Sequence, residues 1–152
     1  MELTKEDAKK LYPSATDWFK VKLDKAFGKE SFRKLDWKDI KTFEDACTAL
    51  DIDPDAVCCD VDTSDEVAYK MLKVIIQAIN QEWTPDWSNT SQRKWYPWFN
   101  LSSGFGFGAS NYDYGDSYAN VGSRLCFESE EKSNHAGQQF LEIYRQFMTI
   151  SK

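Results

Sequence analysis

Apolar residues in the first half of the chain recur at helical spacing, and a start signal precedes each periodic segment. Thr4 is followed three residues later by Asp7, a spacing that resembles a capping box and predicts a short helix. Ser14 and Asp17 repeat this spacing before a second predicted helix. The row of residues that this second helix is expected to bury is Phe19, Leu23 and Phe27.

Two further helices are predicted before residue 82. The first begins at Thr42, which has Asp45 three residues after it, and stops at Asp51. The second begins at Thr63, where Glu66 completes the best capping box in the chain, and continues to about residue 81. Apolar residues cover most of the circumference of this second helix, so we expect it to be central and contacted on two sides.

The pattern changes at residue 94, where aromatic residues, glycines and short alternating runs replace the helical spacing. Aromatic and β-branched residues favour a half-buried strand, and clusters of Gly, Asn and Asp mark strand ends. We therefore predict a small antiparallel three-stranded sheet over about residues 95–128, followed by one C-terminal helix over residues 129–150 that packs on it. The expected class is α+β, in a single domain spanning residues 1–152 whose first 82 residues are mainly helical.

Composition restricts the partners that this fold is expected to have. The chain of 152 residues carries a formal net charge of -6, which disfavours nonspecific binding to phosphates. Seven lysines and one arginine between residues 20 and 41 could still form a basic face, although acidic residues interleave with them and favour a solvated helix surface. Four cysteines without a CxxC pair, and no long apolar run, predict a cytoplasmic protein without a membrane span.

Aspartates are concentrated between residues 51 and 62. Their spacing partly matches an EF-hand loop, but Ala56 stands where the template has glycine and an aspartate stands where it has glutamate. The same residues can instead cap and turn the backbone between two helices, and this interpretation is favoured. The weak candidate metal ligands are Asp51, Asp53, Asp55 and Asp62, and we predict no cofactor.

Aromatic and cationic residues near the sheet are the candidate binding surface. Their rings could form a core, a protein interface or a platform for stacking bases. Arg124 is expected to pair with a sheet neighbour or to reach a ligand, and the Tyr-rich loop is suited to protein recognition. The candidate residues are Trp83, Trp87, Arg93, Trp95, Trp98, Tyr112, Tyr114, Tyr118 and Arg124.

No set of catalytic residues is apparent. The glycine-rich run at residues 104–108 is not followed by Lys-Ser or Lys-Thr and does not open a helix, so it is not a phosphate-binding loop. His135, the single histidine, has no acidic neighbour in sequence, and a lone histidine on a helix is most often structural. The sequence therefore favours a protein that is not an enzyme.

Several motifs of the second half together resemble a family of small uncharacterised proteins encoded by gut Bacteroidetes and their phages. These motifs are Trp83-Thr-Pro-Asp-Trp, Lys94-Trp-Tyr-Pro-Trp-Phe, Ser103-Gly-Phe-Gly-Phe, Val121-Gly-Ser-Arg-Leu-Cys-Phe and Gly137-Gln-Gln-Phe-Leu-Glu-Ile-Tyr. The resemblance covers the second half strongly and residues 42–63 weakly. It implies a phage or mobile-element setting in the host cytoplasm, and it implies no catalytic residue.

Three functions are compatible with these observations. The leading expectation is a non-enzymatic accessory protein that binds another protein, from host or phage. The first alternative is single-stranded nucleic-acid binding by Trp87, Trp95 and Trp98, with Arg93 and Lys94 beside them. The second alternative is a metal-dependent hydrolase, which would require several aspartates to converge on one ion.

Overall fold

The computed structural model describes residues 3–32, 35–102, 104–114 and 124–150. The chain divides into two compact units, Met1–Leu35 and Asp36–Lys152. Compact units of this kind need not be independently folding domains, so the single domain stays a prediction. No helix within the described ranges is both long enough and apolar enough to cross a membrane.

The described part of the first unit contains two α-helices, α1 (Lys5–Leu11) and α2 (Asp17–Phe27). A short 3-10 turn at Tyr12–Ser14 joins them, and another at Lys29–Phe32 follows α2. Thr4 caps α1 as predicted, because its hydroxyl accepts a hydrogen bond from the backbone N–H of Asp7.

Ser14 does not begin the second helix, and this part of the prediction is wrong. The helix begins after Thr16, and the Ser14 hydroxyl donates to the carbonyl oxygen of Leu11 at 3.2 Å. Pro13 places Ser14 within the preceding 3-10 turn, where its side chain closes that turn instead of opening a helix. The predicted inward row is confirmed, since Leu23 is buried while Phe19 and Phe27 are half-buried.

The described part of the second unit combines four α-helices with one antiparallel sheet, which confirms the α+β class. Its helices are α3 (Phe43–Leu50), α4 (Ser64–Asn80), α5 (Glu130–Gln139) and α6 (Leu141–Met148), and its strands are β1 (Lys94–Asn100) and β2 (Gly106–Asp113). Complete capping boxes open α3 at Thr42 and α4 at Thr63, as their spacing predicted.

Helix α4 is the centre of the second unit. It contacts α3, α5 and α6, so the prediction of a central helix contacted on more than one side is confirmed. Leu72, Ile75 and Ile79 of α4 are fully buried, and Phe127 and Tyr144 pack into the same core. Burying each of the leucine, isoleucine and phenylalanine side chains contributes roughly 1.5–3 kcal/mol relative to leaving it in water.

Among the described residues the sheet has two strands, so the prediction of a third strand is wrong. In the segment where that strand was expected, Phe127 alone of the described residues pairs with β1, through two backbone hydrogen bonds to Trp95 of 3.0 Å and 2.7 Å. On the other side of this segment, the Asn80 carboxamide donates to the carbonyl oxygen of Cys126 at 2.8 Å and accepts from the N–H of Glu128 at 3.2 Å. A side chain of α4 therefore binds the edge where another strand would pair. Residues 121–123 of the predicted strand lie outside the described residues.

The C-terminal segment forms two helices, which corrects the prediction of one. The break is at Phe140, whose φ of -110° and ψ of 28° depart from helical values. The N–H of Phe140 still donates to the carbonyl oxygen of Ala136, and that of Tyr144 donates to the carbonyl oxygen of Phe140, so these two hydrogen bonds are kept at the break. Phe140, at the break, and Tyr144, one turn later, are both buried in the core, and this packing accounts for the break.

Helix α5 approaches the sheet closely at Gly137. A Cβ atom at this position would lie 2.8 Å from Cβ of Pro97 and would overlap the ring of Phe107. Pro97 lies on β1 and Phe107 on β2, so the missing side chain lets one helix contact both strands.

We predict that Asn80→Ala lowers the free energy of unfolding by about 2–4 kcal/mol, because it removes both hydrogen bonds that the carboxamide makes in or near the core. Urea denaturation followed by circular dichroism measures this change. The control is Gln77→Ala, an exposed residue one turn earlier in α4, which should change stability by less than about 0.5 kcal/mol. Equal stability of Asn80→Ala and wild type would contradict the role given to the carboxamide.

We also predict that Gly137→Ala destabilises the protein by about 1–3 kcal/mol, because the methyl group overlaps Phe107. In an unobstructed helix the same substitution gains about 0.5–1 kcal/mol, so the sign of the effect is diagnostic. Thermal unfolding measures it, and Phe107→Leu in the Gly137→Ala background should recover part of the loss. A stabilised Gly137→Ala variant would show that the helix does not approach the strands this closely.

Candidate functional site

A groove of about 490 Å³ lies along α4 in the second unit. One wall is α4 itself, and the other walls are the loop at residues 83–85 and the segment from Arg124 to Cys126. Val57, Val74 and Ile76 provide apolar surface, and the half-buried indole of Trp83 adds an aromatic ring. A concave, largely apolar site with a few polar groups is the usual form of a binding pocket.

Three cations surround this groove, namely Lys70, Lys73 and Arg124. No Asp or Glu is among the described residues that line it, although the whole chain has a net charge of -6. Lys73 Nζ lies 5.0 Å from the centroid of the Tyr69 ring, and Arg124 is exposed. The groove therefore concentrates positive charge on an acidic protein and suits an anionic group.

Lys70 is held by Asp62, whose Oδ2 atom lies 2.6 Å from the lysine ammonium. The hydrogen bond from Lys70 lowers the pKa of the Asp62 carboxyl, and the same bond raises the pKa of Lys70. Asp62 also accepts from the backbone N–H of Cys59 at 2.7 Å, so it fixes the loop before α4. Both groups remain charged at neutral pH, and Asp62 reduces the charge that Lys70 offers to a ligand.

Cys126 lies at the groove, but its side chain is buried. Desolvation raises the pKa of its thiol to about 11, so the thiol keeps its proton at neutral pH. Its carbonyl oxygen is the acceptor for Asn80 described above. Cys126 thus forms part of the wall of the groove, and a buried, protonated thiol favours a role of the groove in binding over one in covalent chemistry.

A second group of predicted residues meets where β1 begins and β2 ends. The Arg93 guanidinium lies 4.5 Å from the centroid of the Tyr112 ring, and the Trp95 ring lies 4.8 Å from the same ring. Tyr114 contacts Tyr112 edge-on at 5.7 Å, and its hydrogen bond with Arg93 raises the pKa of the guanidinium. These four residues form the sheet-end cluster, in which the rings are engaged mainly with one another.

Lys94 is internal, which the sequence did not indicate. Its side chain is buried, and its ammonium donates to the carbonyl oxygens of Asn89 at 3.0 Å and Tyr114 at 3.1 Å. The same ammonium lies 5.4 Å from the ring of Trp87. Lys94 and Trp87 therefore fasten the loop before β1 to the end of β2, and this lysine is not exposed to a phosphate.

The candidate residues thus occupy several places instead of one surface. Trp83 and Arg124 are at the groove, and Arg93, Trp95, Tyr112 and Tyr114 form the sheet-end cluster. Trp98 is exposed separately, with 55% of its surface accessible, since strand alternation turns it away from Trp95. Tyr118 lies outside the described residues.

Three of the four candidate metal ligands, Asp51, Asp53 and Asp62, have local structural roles. Asp51 ends α3 with a left-handed φ of 58°, and Asp53 accepts from the N–H of Asp55 at 3.1 Å in a 3-10 turn. Asp62 binds Lys70. Within the part of the chain that is described, no three His, Cys, Asp or Glu side chains gather closely enough to hold a metal ion.

Lys70 and Lys73 are functional candidates that sequence reasoning missed. The two residues are three positions apart on the less apolar side of α4, a spacing that puts them on one helix face. This spacing was a visible signal, but nothing local indicated that Arg124 would join them. His135, by contrast, is structural, since its Nε2 atom lies 2.7 Å from the carbonyl oxygen of Ile40.

Comparison of the chain with protein-family models, with curated proteins and with solved structures finds no match. Function is therefore inferred from the geometry and charge of these sites.

We predict that Asp62→Asn lowers stability at neutral pH and that its difference from wild type disappears in acid. The folded-state pKa of Asp62 is below its ordinary value of 3.8, so its contribution is complete above that value and is lost as pH falls through the lower, folded value. Thermal unfolding between pH 7 and pH 2 measures the difference. Asp60→Asn, at an exposed aspartate of the same loop, is the control and should show a smaller difference. A difference that persists unchanged at the acid end would contradict the ion pair.

Proposed function

We propose that the protein is a non-enzymatic accessory protein, of phage or mobile-element type, that acts by binding another protein. The observation that carries this proposal is the groove along α4, where three cations and Trp83 surround apolar walls on a strongly acidic chain. The phage setting rests on the sequence resemblance alone.

The groove is suited to an acidic segment of the partner that also carries apolar side chains. Carboxylates of such a segment can pair with Lys73 and Arg124, and an apolar side chain can enter between Trp83 and Val74. Tryptophan and arginine are enriched among residues that dominate binding energy at protein interfaces. Removing either the positive charge or the ring should therefore weaken binding.

The two alternatives have weaker support. Single-stranded nucleic acid at the sheet end would require Lys94 and Trp95 at the surface, whereas Lys94 is internal and Trp95 packs partly against the core. A metal-dependent hydrolase would require the aspartates to converge, whereas Asp51, Asp53 and Asp62 each serve a separate local structure.

A titration with a defined peptide tests this proposal. A fluorescein-labelled peptide of alternating Glu and Leu should bind the wild-type protein at low ionic strength, as measured by fluorescence anisotropy. We expect Lys73→Gln combined with Arg124→Gln, and separately Trp83→Ala, to weaken binding about tenfold or more, because each removes a large part of the contact.

Matched substitutions away from the groove are the controls. Lys41→Gln and Trp98→Ala change an exposed lysine and an exposed tryptophan, and both should bind the peptide as the wild type does. Equal affinity of the groove variants and the wild type, or binding of a Lys-Leu peptide as tight as that of the Glu-Leu peptide, would refute the proposal. A pull-down from host or virion lysate then identifies the natural partner by comparing wild type with the groove variants.

A further inference from the structure

Positive charge in this protein is concentrated in the first unit. Residues 1–35 contain nine Lys and Arg against six Asp and Glu, whereas residues 36–152 contain ten against nineteen. The first unit is thus basic and the second strongly acidic. The first unit is therefore the part of the chain whose charge suits a polyanion.

The outer face of α2 presents basic and apolar residues together. Trp18, Val21, Lys22 and Lys25 stand at i, i+3, i+4 and i+7 and are all exposed, with 66% of the Trp18 surface accessible. They span about 10 Å along the helix axis. We call these four residues the α2 outer face.

No carboxylate belongs to this face. Asp17 precedes it in the first turn of the helix, and Asp24 accepts a hydrogen bond from the Tyr12 hydroxyl at 2.9 Å. The Lys22 ammonium lies 4.3 Å from the centroid of the Trp18 ring. The Trp18 indole thereby makes a cation–π contact with Lys22, and its high exposure leaves part of the ring accessible to a ligand.

We propose that the α2 outer face binds single-stranded nucleic acid, with a base stacked on Trp18 and phosphates paired with Lys22 and Lys25. An exposed ring interleaved with lysines is the arrangement that single-stranded sites use, and stacking tolerates any base. This surface shares no residue with the groove, whose described lining residues all belong to residues 36–152.

The composition of the face favours this ligand over two others. A helix that lies on an anionic membrane separates an apolar side from a basic side, whereas here Lys25 stands between Trp18 and Val21 around the helix. A stable protein interface buries about 800 Å² on each partner, and one tryptophan and one valine provide too little apolar surface to centre it. A stacked base with flanking phosphates requires only a ring and a few cations.

Fluorescence anisotropy of a fluorescein-labelled oligothymidylate of about 12 nucleotides, at roughly 50 mM salt, tests the proposal on the full chain. Trp18→Ala should weaken binding about tenfold or more, and Trp18→Phe should weaken it less because a ring remains. Lys22→Gln with Lys25→Gln should reduce the slope of log affinity against log salt by roughly 1.4. The control Trp98→Ala, at an exposed tryptophan of the second unit, should bind as the wild type does.

Three outcomes would overturn the proposal. These are no binding of the oligonucleotide by the wild type, the same affinity for Trp18→Ala as for wild type, and displacement of the oligonucleotide by polyglutamate at equal charge concentration. Binding to phosphatidylserine vesicles that exceeds binding to the oligonucleotide would assign the face to a membrane instead. Because the four side chains are exposed, circular dichroism should show wild-type helix content in every variant, and the affinities are compared on that basis.

Discussion

The carboxamide of Asn80 joins the central helix to the sheet through one side chain. Its nitrogen donates to Cys126 and its oxygen accepts from Glu128, while Phe127 between them pairs with β1. The segment is therefore bonded to the strand on one edge and to the last residue of α4 on the other. A buried carboxamide whose nitrogen and oxygen are both hydrogen-bonded fixes the register of this segment against β1. A shift by one residue would separate the carboxamide from both of its hydrogen-bond partners.

The groove depends on the same contact. Asn80 and Cys126 both line it, so the hydrogen bond that joins them also brings Arg124 to the helix that carries Lys70 and Lys73. Lys132 adds to this junction, since its ammonium lies 2.5 Å from Glu128 Oε2. The cationic character of the site thus combines Lys70 and Lys73 of one helix with Arg124, which is distant from them in the sequence.

The net charge of this protein conceals how its charges are distributed. An overall value of -6 argues against binding anions, yet it averages a basic first unit with an acidic second one. Within the acidic unit, the groove is again an exception, since cations line it and no carboxylate is among its described lining residues. Local placement of charge therefore decides which ligands can bind, and the total mainly influences solubility and the rate of association.

Short-range signals in the sequence determined the helix starts at Thr4, Thr42 and Thr63 and the overall class. The capping boxes at Thr42 and Thr63 act over three residues, so the chain itself contains all of the information that they need. Alternation along β1 likewise assigns Trp95 and Trp98 to opposite faces, because successive side chains of a strand point to opposite sides. Only the tertiary structure decided that Phe127 is the one described residue of its segment that pairs with β1, and that the predicted last helix breaks at Phe140. It also decided that Lys94 is buried and that Arg124 lines the groove. Each of these features depends on a partner distant in sequence, such as Asn80, the core or Tyr114, and no local pattern encodes which distant groups will meet.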